Sequence, residues 1–132
     1  MDTLTKAERS VQMARIRSKD TKPELTVRRL VHGMGYRYRL HDKSLPGHPD
    51  MVLRRRSKVI FVHGCFWHRH RNCCRVPSSR REYWLPKLEG NAARDKRARE
   101  TLRRMGWRSL IIWECEIAHR KRLEQKVRAF LA

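Results

Sequence analysis

Acidic side chains are scarce in this chain. Thirteen Asp and Glu stand against 33 Lys and Arg in 132 residues, a formal net charge of +20. A compact domain with that imbalance repels itself unless it meets a polyanion. Nucleic acid is the default one, because each neutralised phosphate releases condensed counterions. A solvated basic surface is the plainer reading. An anionic membrane ranks behind nucleic acid, since no amphipathic basic helix dominates. Long apolar runs are missing as well, so neither a signal peptide nor a membrane span is expected. Nothing repeats at a fixed period, which excludes solenoids and arrays. Cysteine is limited to Cys65, Cys73, Cys74 and Cys115, and without a secretion signal disulfides are not expected. The hydrophobic fraction of 39% excludes a wholly disordered chain and suits one modest core. No linker is rich enough to split the chain, so a single domain over residues 1–132 is expected.

Hydrophobic periodicity orders the elements. Lys6 to Arg17 is a charged helical pattern with Val11, Met13 and Ile16 as its few apolar points, an N-terminal arm (residues 1–19) or a surface helix. Asp20 and Thr21 are N-cap residues and Pro23 suits a first helical turn. Val27, Leu30, Val31 and Met34 follow at one-face helical spacing, and Gly33 and Gly35 stop that helix. Tyr36, Tyr38 and Leu40 alternate with arginines, as in a half-buried strand. After a Pro- and Gly-containing loop come a short strand at Met51–Leu53 and a β-branched run, Val59–Val62, expected as a central strand buried on both faces. A His/Cys/Arg-rich loop leads to a short helix at Tyr83–Leu88, then a basic helix at Asn91–Met105 closed by Gly106. A buried strand around Leu110–Ile112 and a final helix bearing Leu123, Val127, Phe130 and Leu131 complete the order. That order predicts an α/β domain, a mixed sheet covered by helices.

The densest chemistry lies between Cys65 and Cys74. Thiolates and imidazoles at short spacing are what tetrahedral zinc needs. Cys65, His70 and Cys73 supply three ligands in one loop, and Cys115, just past a buried strand, is the distant fourth. Cys74 is an alternative to Cys73, and reduced cysteines with surface histidines are the plainer reading. A site closed by four protein ligands is structural and staples a small core. If His70 is a ligand, His68 and His63 are left to handle protons near neutral pH; for His63 a core role fits equally well. Asp50, in Leu45-Pro-Gly-His-Pro-Asp50 ahead of a strand, is placed to hold Mg²⁺ at a scissile phosphate, although Asp there also suits a cap or turn. Glu24 reads equally as an acid of the first helical turn. Phe66, Trp67 and Met13 are large apolar residues amid charge, suited either to a core or to wedging between base pairs.

These segments together resemble the very short patch repair (Vsr) endonuclease family. The matching stretches are Lys19-Asp20-Thr21-Lys-Pro23-Glu24, Leu45 to Asp50, Phe61-Val-His-Gly-Cys-Phe-Trp-His68, Asn91 with Arg94-Asp95, and Gly106 to Cys115 with its Trp-Glu-Cys ending. They run in family order across nearly the whole chain. The resemblance implies a restriction-endonuclease-like fold with an added structural zinc site. It implies Mg²⁺-dependent nicking of one strand of double-stranded DNA, 5′ to the T of a T:G mismatch, by a monomeric, cytoplasmic, nucleoid-associated bacterial protein. It implies Asp50 and the Val62 carbonyl as Mg²⁺ ligands and His68 as general base. Glu24 and His63 are implied in the same site, with Asp95 orienting a histidine or a water. Cys65, His70, Cys73 and Cys115 are the implied Zn²⁺ ligands, and Phe66, Trp67 and Met13 the intercalating wedge. The chain departs from nucleases of this fold that carry an acid and a lysine after the metal-binding aspartate, reading Val62-His63-Gly64 there. Two other readings are kept: a zinc-stapled DNA-binding module without catalysis, and a same-fold nuclease with another target.

Overall fold

The computed structural model describes residues 21–70 and 78–132. The expected arm of residues 1–19 with Met13, and both Cys73 and Cys74, lie outside the described residues. Helix α1 spans Lys22–Gly33, and the Thr21 side chain accepts the Glu24 backbone N–H at 3.3 Å, with Pro23 in the first turn. That is the cap its sequence predicts. Gly35 then takes φ +94 and turns the chain out of the helix.

The sheet has the order β1-β2-β3-β4, with β1 at Arg39–Leu40, β2 at Met51–Leu53, β3 at Lys58–His63 and β4 at Arg108–Trp113. Strands β1, β2 and β3 pair antiparallel, while β3 and β4 run parallel. A parallel pair needs a crossover, and helix α2, Arg81–Arg104, supplies it. Strand β3 lies between β2 and β4, and its run from Lys58 to Phe61 is buried, as a two-sided apolar strand requires. Helix α3 spans Arg120–Leu131.

Side-chain alternation sorts the core into two layers. On one face Val27 and Val31 of α1 and Leu123, Val127 and Leu131 of α3 meet Met51, Leu53, Ile60 and Ile112. On the other, Leu102 of α2 and Leu45 cover Val52, Val59 and Phe61. Two expectations change. The strand expected from Tyr36 shrinks to two exposed residues, with Leu40 41% exposed. Tyr36 and Tyr38 instead pack against the α1/α3 layer and donate their hydroxyls to the carbonyls of Leu131 (3.4 Å) and Arg28 (3.0 Å). The two helices expected at 83–88 and 91–105 are one helix of 24 residues containing Pro86. The carbonyl that Pro86 leaves without an N–H is that of Glu82, in the first turn. Buried Leu88 and Leu102 dock both halves. No helix of the described residues is long and apolar enough to cross a membrane.

Candidate active site

Asp50 sits immediately before β2, opposite the end of β3. Its Oδ2 accepts the Val62 backbone N–H at 2.7 Å. In an extended strand the N–H and C=O of one residue point to the same side, so the Val62 carbonyl also faces the Asp50 edge. Burial pushes the Asp50 carboxyl up to about 7; the Val62 N–H opposes the rise and the neighbouring Glu24 carboxyl adds to it. Glu24 comes from the first turn of α1 and is only 2% exposed. Its Oε2 forms an ion pair with Arg28, one turn on, and lies 2.9 Å from His41 Nε2. The ligating atoms of Glu24, His41 and Asp50 all fall within 4.8 Å of one another.

The second half of the site grows from the end of β3. The His63 and His68 rings stack with centroids 3.8 Å apart and planes 6° from parallel. His68 Nδ1 lies 2.6 Å from Asp95 Oδ2 on α2, which leaves Nε2 as the ring's other polar atom. His63 is 4% exposed. Burial pushes it down to about 3, with facing His68 and Arg99 acting in the same direction and Asp95 opposing, so the ring is neutral at physiological pH. Its Nδ1 is buried without a hydrogen-bond partner among the described residues. Helix α2 holds the loop at two further points: Asn91 Nδ2 donates to the Trp67 carbonyl (3.0 Å), and Arg69 pairs with Glu89 (3.2 Å). Asn91 and Asp95 are i and i+4, on one face of α2.

Glu24, Asp50, Val62, His63, His68 and Asp95, all singled out from the sequence, line one cleft of about 570 Å³. His41, Lys43, His48 and Glu114 line it too. Sequence reading missed these four as site residues, because single polar residues in loops or at strand ends carry no periodic signal. Asp50 and the Val62 carbonyl are hard oxygen donors on one edge, and loss of solvent makes the ionised Asp50 carboxylate costly there, a cost that a cation would relieve. That donor set fits Mg²⁺.

Beside the cleft, the ligating atoms of Cys65, His70 and Cys115 converge within 4.8 Å of one another. The Cys115 N–H donates to Cys65 Sγ at 3.4 Å, and Cys115 Sγ is 3.5 Å from His70 Nδ1. The Trp113 ring stacks on His70 at 4.2 Å and fixes its plane. Two thiols and an imidazole fit three corners of a tetrahedral zinc site.

Phe66 and Trp67 belong to neither core layer among the described residues; both are half-buried. They meet edge to face at 5.0 Å, and Trp84 of α2 joins them, 5.4 Å from Phe66 and 6.0 Å from Trp67. Tyr83, exposed, packs on Trp84, and Lys87 Nζ stands 5.8 Å over the Trp84 ring. Trp84 was legible only as part of an apolar helical stretch, because its partners lie some 17 residues earlier in the chain.

One buried and one half-buried acid beside an oriented histidine, in a chain of charge +20, define an enzyme that works on a nucleic-acid backbone. Comparison with known proteins narrows that class. The family model described as DNA mismatch endonuclease Vsr matches residues 1–75. The type II nicking enzyme V.XorIIP of Xanthomonas oryzae is 48% identical, the match covering 98% of this chain and 96% of that protein. The type II nicking enzyme V.NmeAIP of Neisseria meningitidis is 40% identical over 96% and 94% of the two chains. The DNA mismatch endonuclease Vsr of Escherichia coli is 44% identical over 92% of this chain and 79% of its own. The chain belongs to the Vsr DNA mismatch endonuclease family and is a strand-nicking endonuclease, which sets aside the reading as a binding module without catalysis.

Proposed function

We propose that this chain nicks one strand of double-stranded DNA 5′ to the T of a T:G mismatch, using Mg²⁺, on a restriction-endonuclease-like fold stapled by Zn²⁺. The observation that carries this reading is the meeting of Asp50, the stacked His63–His68 pair with its Asp95 partner, and Trp67 of the aromatic cluster in one cleft. Asp50 and the Val62 carbonyl hold the Mg²⁺, which when bound supplies Lewis-acid charge at the scissile phosphate. His68 takes a proton at Nε2 from the attacking water. Asp95 fixes the His68 ring through Nδ1 and faces the positive charge that develops on it. Neutral His63 stacks on one face of the same ring and adds no competing charge. Glu24 supplies a second carboxylate beside Asp50. Cys65, His70 and Cys115 with Cys73 hold the Zn²⁺. Phe66 and Trp67, joined by Trp84, wedge at the mismatch from one groove, and Met13 enters from the other.

The test uses paired duplexes that differ only by one T:G mismatch, with and without Mg²⁺. Nicking 5′ to the mismatched T, dependent on Mg²⁺ and lost in Asp50→Ala and His68→Ala proteins that still bind DNA, supports the proposal. The relatives named type II nicking enzymes favour one second reading, the same chemistry at a different DNA target. In that case matched and mismatched duplexes of one sequence are nicked alike.

A further inference from the structure

Arg28 and His41 carry no role in the chemistry set out above, yet both converge on one atom inside the cleft. The Glu24 carboxylate is almost fully buried, and its Oε2 is met by the Arg28 guanidinium from one turn along α1 and by His41 Nε2 at 2.9 Å from the end of β1. Arg28 Nη2 and His41 Nε2 are themselves 3.4 Å apart, so the three groups form one knot. His41 holds a left-handed backbone, φ +49, at this point, and its N–H donates to the Asp50 carbonyl at 3.2 Å. A non-glycine residue keeps such a conformation only where the surroundings impose it, and such positions cluster at functional sites. The left-handed turn takes the chain out of β1 directly beside Asp50. The Tyr38 hydroxyl donates to the Arg28 carbonyl at 3.0 Å, tying the helix turn that carries Arg28 to the chain that leads to His41.

We propose that Arg28 and His41 are positioning residues, which together fix one oxygen of Glu24 and thereby set the Glu24 carboxylate against Asp50. The inference rests on the reading that Glu24 serves the nicking reaction. Held by Arg28 alone, the buried carboxylate would move with that one flexible side chain, and repulsion from Asp50 would push it away. With two donors from separate elements, its plane and position are set before substrate arrives. Groups that orient a site residue in this way typically contribute about 10- to 100-fold to activity.

The experiment is a double-mutant cycle on the full chain with the T:G duplex, read as single-turnover nicking rate, KM for duplex and thermal midpoint. His41→Leu should slow the rate by about 10-fold or more with KM and midpoint little changed. His41→Gln, which restores an N–H at the same reach, should recover most of that loss, and Arg28→Lys should fall between wild type and Arg28→Leu. In a Glu24→Gln background, His41→Leu should cost almost nothing further, because its effect runs through Glu24. Additive losses in the double variant, or equal rates for His41→Leu and His41→Gln, would overturn the inference while leaving Glu24's role standing. Wild-type rate in Glu24→Gln alone would instead remove the role of Glu24 and the inference with it.

Discussion

His63 is buried and Asp50 half-buried, and their desolvation moves the two titrations so that they oppose each other. Asp50 rises from 3.8 to about 7. The folded state therefore holds that proton more tightly than the unfolded chain, and the favourable contribution, present on the acid side, is lost as pH rises from about 4 to about 7. His63 falls from 6.5 to about 3. Its contribution is complete above the unfolded value and is lost as pH falls toward the folded one. In the shared window, between roughly pH 4 and 6.5, the two slopes offset, each on the order of a few kcal/mol at full extent. Without added Mg²⁺, Asp50→Asn should therefore gain thermal stability with rising pH across that window relative to wild type, and His63→Gln should lose it. Saturating Mg²⁺ near pH 7.5 should raise the wild-type midpoint and leave Asp50→Asn unmoved. Identical pH profiles for all three proteins would show that burial does not set these titrations. Of the residues in this site, Asp50, His63, His68, Asp95 and Glu24 were legible because each sits in a motif or at a recognisable cap. His41 was not: its relevance comes from a left-handed turn and from a helix neighbour 17 residues away.

At the scale of elements, the site is assembled by fastening a loop between the ends of two parallel strands. Residues 64–70 leave β3, Cys115 follows β4, and α2 closes over the loop through Asp95, Asn91 and Glu89. The thiol–imidazole cluster is the fastening nearest the sheet. With the proposed zinc bound there, chelation or Cys115→Ser should cause cooperative unfolding or aggregation, measured by circular dichroism together with zinc content, since a structural metal's binding energy is folding energy. A Cys115→Ser protein that is fully folded and retains zinc would remove that role. A second joint lies where the 41–49 loop crosses α2. Gly47 has φ +77, and a Cβ there would come 2.9 Å from Ala98 Cβ and 3.1 Å from the Phe61 ring. Gly47→Ala should cost about 1–3 kcal/mol and lower the nicking rate, as the loop that carries His48 and leads into Asp50 is pushed from the helix. The order of helices and strands was legible because the apolar periods of α1, β3 and α3 are strong. The unity of α2 was not, since the sequence pattern separates residues 83–88 from 91–105, and only the burial of both Leu88 and Leu102 on one helix joins them.

The whole molecule carries its charge unevenly in function even where it is spread evenly in sequence. Exposed Arg94, Lys96, Arg97, Arg103 and Arg104 stud the outer side of α2, the helix that also holds the 64–70 loop and carries Trp84. Phosphate contacts made there position any duplex without reading it, whereas an aromatic wedge acts on how readily one step opens. A T:G wobble stacks less stably than a Watson–Crick pair, and unstacking a step costs on the order of a few kcal/mol, so under the proposed T:G reading part of that difference would become selectivity. The two contributions separate in a competition titration of matched and mismatched duplexes at several salt concentrations. Neutralising Arg94, Arg97 and Arg104 together should weaken both duplexes alike and flatten the salt dependence, each lost phosphate contact lowering the slope by about 0.9. Trp67→Ala or Trp84→Ala should leave that slope intact and shrink the mismatch preference by about 10-fold, near the 1–3 kcal/mol that a stacked aromatic contributes. Unchanged discrimination in both aromatic variants would assign Phe66, Trp67 and Trp84 to bracing the loop against α2, and mismatch choice would then have to come from groups that hydrogen-bond the bases.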